Sequence, residues 1–211
     1  GSGVSLARLA YRTADAGLEG LEWGIGIPGT VGGAVVCNAG AYGGSMVDVI
    51  RQVEVLDSGC DVHTVEASSL GLGYRQSIFK ANALMRRCSI ILSVDLTLRA
   101  ATSRVLRTRQ AEYLALRKMS QPREPSAGSV FKNPPGHAAG WLIEQVGLKG
   151  YRVGNAQISP LHANFIVNLG QARAADILSL ITLAQEKVWQ RFSIRLEKEI
   201  EIVNRGPGAP A

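Results

Sequence analysis

The chain has 211 residues, of which 46% are hydrophobic and 19% charged, and it carries a formal net charge of +6. This balance excludes a disordered or fibrous chain and supplies enough apolar material for one large globular domain or two small ones. No run of about 18 apolar residues exists and the opening GSGVSLARLAYRTADAG is too polar for a signal peptide, so a soluble protein of the cytoplasm is expected, without a membrane partner.

In chain order, SLARLAYRTADAG sets Leu6, Leu9 and Ala10 at helical spacing and stops at Gly17, which suits a helix end. The stretch GIGIPGTVGGAVVCNAGAYGG, Gly24 to Gly44, then holds eight of the 24 glycines. A flexible linker would be rich in Ser and charge, and collagen needs a strict triplet period, so neither fits. The interleaved Ile25, Ile27, Val31, Ala34, Val35 and Val36 imply a segment packed into a core. Two readings stay open: ordinary packed turns, or a backbone cradle for a ligand. Next, VIRQVEVLD, DVHTVEA and SIILSVDLTL are short, β-branched and bounded by turn formers, which predicts neighbouring strands. ATSRVLRTRQAEYLALRKM, with Val105, Tyr113, Leu114 and Leu116 as its apolar positions, predicts a helix that closes this region.

SQPREPSAGSVFKNPPG is a second run of turn formers, in which prolines stiffen a loop presenting Ser129. AAGWLIEQVGLKG predicts a short helix ending near Gly147, NFIVNLG a buried strand, and RAADILSLITLAQEKVWQRF a helix with apolar positions Ile177, Leu178, Leu180, Ile181, Val188 and Phe192. In SIRLEKEIEIV, Leu196, Ile200 and Ile202 alternate with Glu197, Glu199 and Glu201, which predicts a final strand with one acidic face. The mixed order of elements makes the fold class α+β.

Cys37, Cys60 and Cys88 are far apart and odd in number, and read as buried thiols of a reducing compartment. The histidines at 63, 137 and 162 are equally scattered, so no metal site is expected. The positive surplus admits nucleic acid or a small anionic ligand, but no recognition helix or aromatic platform accompanies it, which favours the small ligand.

Among motifs, GIGIPG formally satisfies G-x-G-x-x-G, yet no buried strand is expected before it and no helix after it, and Pro28 sits inside the turn. It is rejected as a dinucleotide fingerprint, and no Gly-Lys-Ser/Thr follows to make a Walker loop. Ser129 lacks a hydrolase elbow and is otherwise an incidental loop serine. Arg75 in GYRQS is an isolated cation suited to a carboxylate or phosphate, or else a member of a surface ion pair. Nothing in the spacing separates Glu199 from its two acidic neighbours.

Taken together and in order, GLEWGIGIPGTVGGAVVCNAGAYGG, GYRQS, PSAGSVFKNP, GWLIEQVGLKGYRVGNAQIS, HANFIVN and LEKEIEIV resemble the UDP-N-acetylenolpyruvoylglucosamine reductase (MurB) family, flavoenzymes of bacterial cell-wall synthesis. The likeness spans nearly the whole chain. The short interval between Arg75 and Ser129 is similar to the family's shorter subclass. The resemblance implies a vanillyl-alcohol-oxidase-type FAD-binding domain, represented by its second lobe only, at about 1–100, and a MurB-type substrate domain at 101–211. It implies FAD held by Pro28, Gly29, Thr30, Gly32, Gly33, Asn38, Gly40, Ala41 and Tyr42, with NADPH as reductant. The implied reaction passes hydride from flavin N5 to C3 of UDP-N-acetylglucosamine enolpyruvate, while Ser129 protonates C2 and Arg75 and Glu199 polarise the carboxylate. Such chemistry needs a cation, a hydrogen-bond partner and a proton donor arranged in advance, and Glu199 either protonated or paired with Arg75. Asn133, Lys149 and His162 resemble positions that hold the nucleotide-sugar diphosphate, although His162 also suits a core or capping role. A monomer is expected, with no nucleic-acid partner. The alternative is a flavin-free UDP-sugar-binding module without catalysis.

Overall fold

The computed structural model describes residues 1–81 and 89–203. Its contacts divide the chain into two compact units, Gly1–Arg117 and Lys118–Ala211, whereas the sequence reading set the change of domain at about residue 100. Residues 99–117 stay with the first unit for two physical reasons. Strand β7 (Arg99–Ala100) pairs antiparallel with β1 (Leu18–Glu19). Buried Gln110 also donates from Nε2 to Ala10 O at 2.7 Å.

In the first unit, helix α1 (Leu6–Asp15) starts where Ser5 Oγ accepts from the Arg8 amide and buries Leu6, Ala10 and Ala14 on one face. It ends at Ala16, with Gly17 at φ 70° satisfying the left-handed turn that follows. Helix α2 (Val31–Val36) lies inside the glycine-rich stretch, the two-residue strands β2 (Gly40–Ala41) and β3 (Gly44–Ser45) pair antiparallel at its end, and the short α3 (Ile78–Ala81) follows later. The three runs read as strands form one antiparallel sheet in the order β5 (Val62–Glu66), β4 (Ile50–Leu56), β6 (Ile90–Leu96). Ile50, Val53 and Val55 of the central strand join Leu6, Leu21, Trp23, Met46, Leu70 and Phe79 in one core, each such burial worth about 1.5–3 kcal/mol.

Helix α4 (Ser103–Ser120) presents a stripe other than the one expected. Leu106 and Gln110 are buried, Tyr113, Leu114 and Arg117 half-buried, while Val105 and Leu116 are exposed. Tyr113 and Leu114 therefore were in phase, and Val105 and Leu116 were not. The buried phase includes a glutamine, because the Ala10 carbonyl of α1 gives its buried amide an acceptor.

The thiol expectation needs correcting. Cys37 is half-buried, and Cys60 is exposed at φ 66° in the β4–β5 turn, where the short hairpin carries its side chain to solvent. Cys88 lies outside the described residues.

The second unit is an antiparallel sheet in the order β8 (Ser126–Ser129), β11 (Phe165–Asn168), β10 (Ala156–Ile158), β9 (Arg152–Val153). Helices α5 (Ala139–Gln145) and α6 (Ala174–Phe192) pack with it, α6 through Leu180, Ile181, Ala184 and Val188. Together the units have the α+β character that the order of elements predicts. Among the described residues, no helix is long and apolar enough to cross a membrane.

Two expectations fail in this unit. The Pro-bracketed loop holding Ser129 is an edge strand, with Ser129 opposite Phe165 and Ser126 opposite Val167. Conversely, residues 194–203 form no regular strand and make only a single bridge, Lys198 to Phe131. The reason is local: Val130 O accepts from both the Glu199 amide at 2.8 Å and the Ile200 amide at 3.5 Å, so the ladder cannot advance by two. Leu196 stays buried while Ile202 is exposed, which breaks the expected apolar face.

Candidate functional site

In the first unit the glycine-rich stretch divides into two kinds of position. At Gly32 an added Cβ would lie 2.9 Å from Ser2 Cβ, and at Gly40 it would lie 2.6 Å from Gly44 O. At Gly44 it would enter the Trp23 indole. These glycines let the chain approach itself. Gly29, at φ 117°, has open space around the Cβ position, and its neighbours Pro28 and Thr30 are exposed. Exposed Gly33 donates its amide to Thr30 Oγ1 at 3.2 Å, the cap of α2.

The sequence reading expected neither strand before nor helix after GIGIPG. A 3₁₀ turn, Glu22–Gly24, does precede it, but a helix, α2, does follow. Two glycines do not prevent six residues from turning helically once Thr30 caps them.

Asn38, 5% exposed at φ 40°, sews this region together. Its Nδ2 donates to Gly73 O at 2.8 Å and its Oδ1 accepts from the Val47 amide at 3.0 Å. Arg75 follows in the same turn, at φ 54°, with Nη2 donating to Gly40 O at 3.3 Å and the guanidinium 5.2 Å from the Tyr74 ring centroid. The structure thus brings Arg75 against Gly40, next to half-buried Ala41. Tyr42 stacks on Tyr113 with centroids 4.4 Å apart and donates its hydroxyl to Tyr113 O.

In the second unit four sequence-predicted residues converge. Ser129, Asn133, Lys149 and His162 line one cavity of about 280 Å³, with Trp141 and Glu144 also on its wall. Each is positioned by a different element. Ser129 closes β8. Asn133 Oδ1 accepts from the Ala139 amide at 2.9 Å and so starts α5. Lys149 lies just beyond α5 and pairs with Glu144 at 2.9 Å. His162 precedes β11, with Nδ1 accepting from the Asn164 amide at 3.2 Å and the ring edge-on to Phe165. Gly140 lets the ring approach α5, since a Cβ there would be 3.0 Å from His162 Cε1.

Burial, reinforced by the Lys149 charge, lowers the His162 pKa below its ordinary 6.5. The ring is therefore neutral near pH 7, and acceptance at Nδ1 puts its proton on Nε2. The cavity wall presents a cation, an amide and an imidazole donor beside a serine hydroxyl, a set able to hold an anionic, hydroxyl-rich ligand.

Glu199 does not line this cavity, but its amide bonds to Val130 O, one residue after Ser129. The structure also separates the three glutamates. Glu197 is exposed and paired with Lys132, Glu201 is exposed, and Glu199 is half-buried.

Sequence reasoning missed Trp141, Glu144 and, above all, Asn164. Asn164 is 4% exposed and bonds the Phe131 backbone twice, Oδ1 accepting from N at 2.9 Å and Nδ2 donating to O at 2.8 Å. A polar amide opening the apolar run NFIV was the available signal, because such a group is buried only when satisfied.

Comparison with known proteins gives a consistent result. A model described as FAD binding domain matches residues 1–66, and one described as the C-terminal domain of UDP-N-acetylenolpyruvoylglucosamine reductase matches residues 121–203. The chain is 50% identical over 204 residues to the UDP-N-acetylenolpyruvoylglucosamine reductase of Synechococcus sp. (strain JA-3-3Ab), covering 96% of this chain and 64% of that one. It is 46% identical to the protein of that name from Chloroflexus aggregans, covering 96% and 68%. The crystal structure of the reductase from Thermus caldophilus superposes with a TM-score of 0.83 at 45% identity, covering 95% of this chain and 70% of that one. The chain thus spans about two thirds of the length of these relatives.

Proposed function

The chain belongs to the UDP-N-acetylenolpyruvoylglucosamine reductase family, and on that premise we propose that its protein reduces UDP-N-acetylglucosamine enolpyruvate to UDP-N-acetylmuramate with NADPH as electron source. The carrying observation is the cavity that gathers Ser129, Asn133, Lys149 and His162. The first unit takes the flavin role and the second holds the substrate.

The residues available for FAD fit in part. Pro28, Gly29 and Thr30 offer exposed backbone and Tyr42 an exposed ring for direct contact, while Gly33 is exposed beside them with its amide given to Thr30 Oγ1. Gly32, Asn38 and Gly40 are occupied with the loop's own packing and act by shaping it, with Ala41 completing the turn. When bound, FAD supplies the hydride received at the substrate's C3.

The chain's own residues handle the charge and the proton. Lys149 and the Nε2 donor of His162 take the diphosphate, and Asn133 bonds it while anchoring α5. Hydride arrival at C3 leaves an electron pair at C2, conjugated with the carboxylate. Ser129 Oγ gives its proton to C2, forming the C–H bond, and the alkoxide regains a proton from water. The Arg75 guanidinium balances the carboxylate's charge, and Glu199 assists either by pairing with Arg75 or by donating to the carboxylate, which it can do only as the acid. A positioned proton donor contributes about 10²–10⁴-fold to such a step.

The test is a two-step titration of the full-length protein purified with FAD. A yellow protein bleached by NADPH and recoloured by the enolpyruvyl substrate supports the reading. A colourless protein that still binds the UDP-sugar overturns it in favour of the binding module.

A further inference from the structure

We propose that Asn164 is the positioning residue for Ser129, a role that rests on the reading of Ser129 as proton donor. The strand that carries Ser129 does not fix it unaided. The ladder of β8 with β11 is irregular between Ser126 and Ser129, so Ser129 sits just after the irregularity, and β8 ends there, leaving Phe131 past the strand's end. Bulges of this kind re-aim a strand and leave backbone groups to be satisfied from elsewhere.

Asn164 supplies what the ladder lacks. Its main-chain carbonyl accepts from the Val130 amide at 2.8 Å, next to the Ser129–Phe165 pair. Its side chain closes on Phe131 through both polar atoms, accepting at 2.9 Å and donating at 2.8 Å, in imitation of a strand partner. Its own amide donates to His162 Nδ1. All four of its hydrogen-bonding groups are thereby committed, and each bond ends on a segment that lines or borders the cavity.

On the opposite side, Val130 O accepts from Glu199 and the Lys132 amide donates to Glu197 O. The segment 130–132 is thus held between Asn164 and residues 197–199. The asparagine side chain thus clamps Phe131, two residues past Ser129, while the bonds to Val130 and to the His162 ring come from the main chain of the same residue. A buried amide is favourable only while both its atoms are paired, so this clamp has a single good geometry. A displacement of about 1 Å at a reacting group can cost on the order of a hundredfold in rate.

The experiment measures flavin reduction by NADPH and flavin reoxidation by the enolpyruvyl substrate in full-length, flavin-loaded protein. The variants are Asn164→Ala, Asn164→Asp, Ser129→Ala and the Ser129→Ala/Asn164→Ala pair. Thermal unfolding and the affinity for UDP-N-acetylmuramate are followed in parallel. Asn164→Ala is expected to slow reoxidation at saturating substrate by about tenfold to a hundredfold while reduction by NADPH is unchanged. Asn164→Asp, which keeps the acceptor to Phe131 N, is expected to slow it less. In the Ser129→Ala background the Asn164 change is expected to add nothing, because the residue it positions is gone.

Equal slowing by Asn164→Ala with and without Ser129 overturns the proposal, and so does unchanged reoxidation. Failure of both Asn164 variants to fold overturns it too, since the clamp would then hold the whole unit and not the serine in particular. If Ser129→Ala leaves reoxidation untouched, the functional reading itself fails, whatever Asn164 does.

Discussion

The two units build their candidate sites in opposite ways. In the first, the residues form one continuous stretch, Pro28 to Tyr42, and many of its special positions serve the protein's own packing. In the second, the cavity draws on Ser129, Asn133, Lys149 and His162, set by a strand, a helix start, a helix end and a loop. A contiguous motif is conspicuous in a sequence yet mixes fold and function at neighbouring residues. A dispersed site is hard to see, but what converges on a cavity is easier to interpret.

The largest expected effect separates the units directly. Ser129→Ala is expected to slow flavin reoxidation by substrate about a hundredfold or more and leave reduction by NADPH intact, measured by stopped-flow absorbance. Comparable losses in both steps would break the division between them.

Next comes a contrast within the first unit. Gly40→Ala drives a methyl group to within 2.6 Å of Gly44 O and is expected to cost at least about 2 kcal/mol of stability by denaturant unfolding. Gly29→Ala meets no neighbour, only the strain of φ 117°, and is expected to cost less stability while weakening flavin affinity. The reverse ranking would mean that the packing and contact roles have been exchanged.

A smaller effect is expected at Asn133, whose side chain starts α5. Asn133→Ala should lower stability by about 1 kcal/mol, as for a lost helix cap, and weaken UDP-N-acetylmuramate binding. A stability loss with unchanged affinity would leave Asn133 a purely structural residue.

The smallest effect concerns pH. The folded pKa of His162 lies below its unfolded value, chiefly through burial, so the unfolded state binds the proton first. Its contribution is therefore complete above about pH 6.5 and is lost as pH falls through the depressed folded value. His162→Gln is expected to flatten that part of the stability curve, followed by thermal unfolding across pH.

Most regular elements were legible in the sequence because their periodicity was strong. The three strands of the first sheet and the helices α1, α4 and α6 appear where spacing put them. Failures arose where tertiary hydrogen bonds overrode pattern. Residues 194–203 alternate like a strand, but Val130 O receives two successive amides and the ladder stops. The apolar spacing did not mark Gln110, whose place in the buried stripe follows from its bond to the Ala10 carbonyl. Ser129 stood out on a loop that proves to be an edge strand, and the neighbouring contacts of Asn164, 35 residues later, follow only from pairing across the sheet. Glu199 could not be told from Glu197 and Glu201 by spacing; in the structure it is half-buried, whereas the other two are exposed and Glu197 pairs with Lys132.

The account stands most directly on the claim that the cavity of the second unit holds the nucleotide sugar. Its three histidines make the protein its own reporter. In an NMR titration of the full-length protein with UDP-N-acetylmuramate, the His162 ring resonances should shift saturably while those of His63, exposed on β5 and bonded to Asp57, stay in place. A His162 ring that does not respond when the ligand is fully bound would contradict the account.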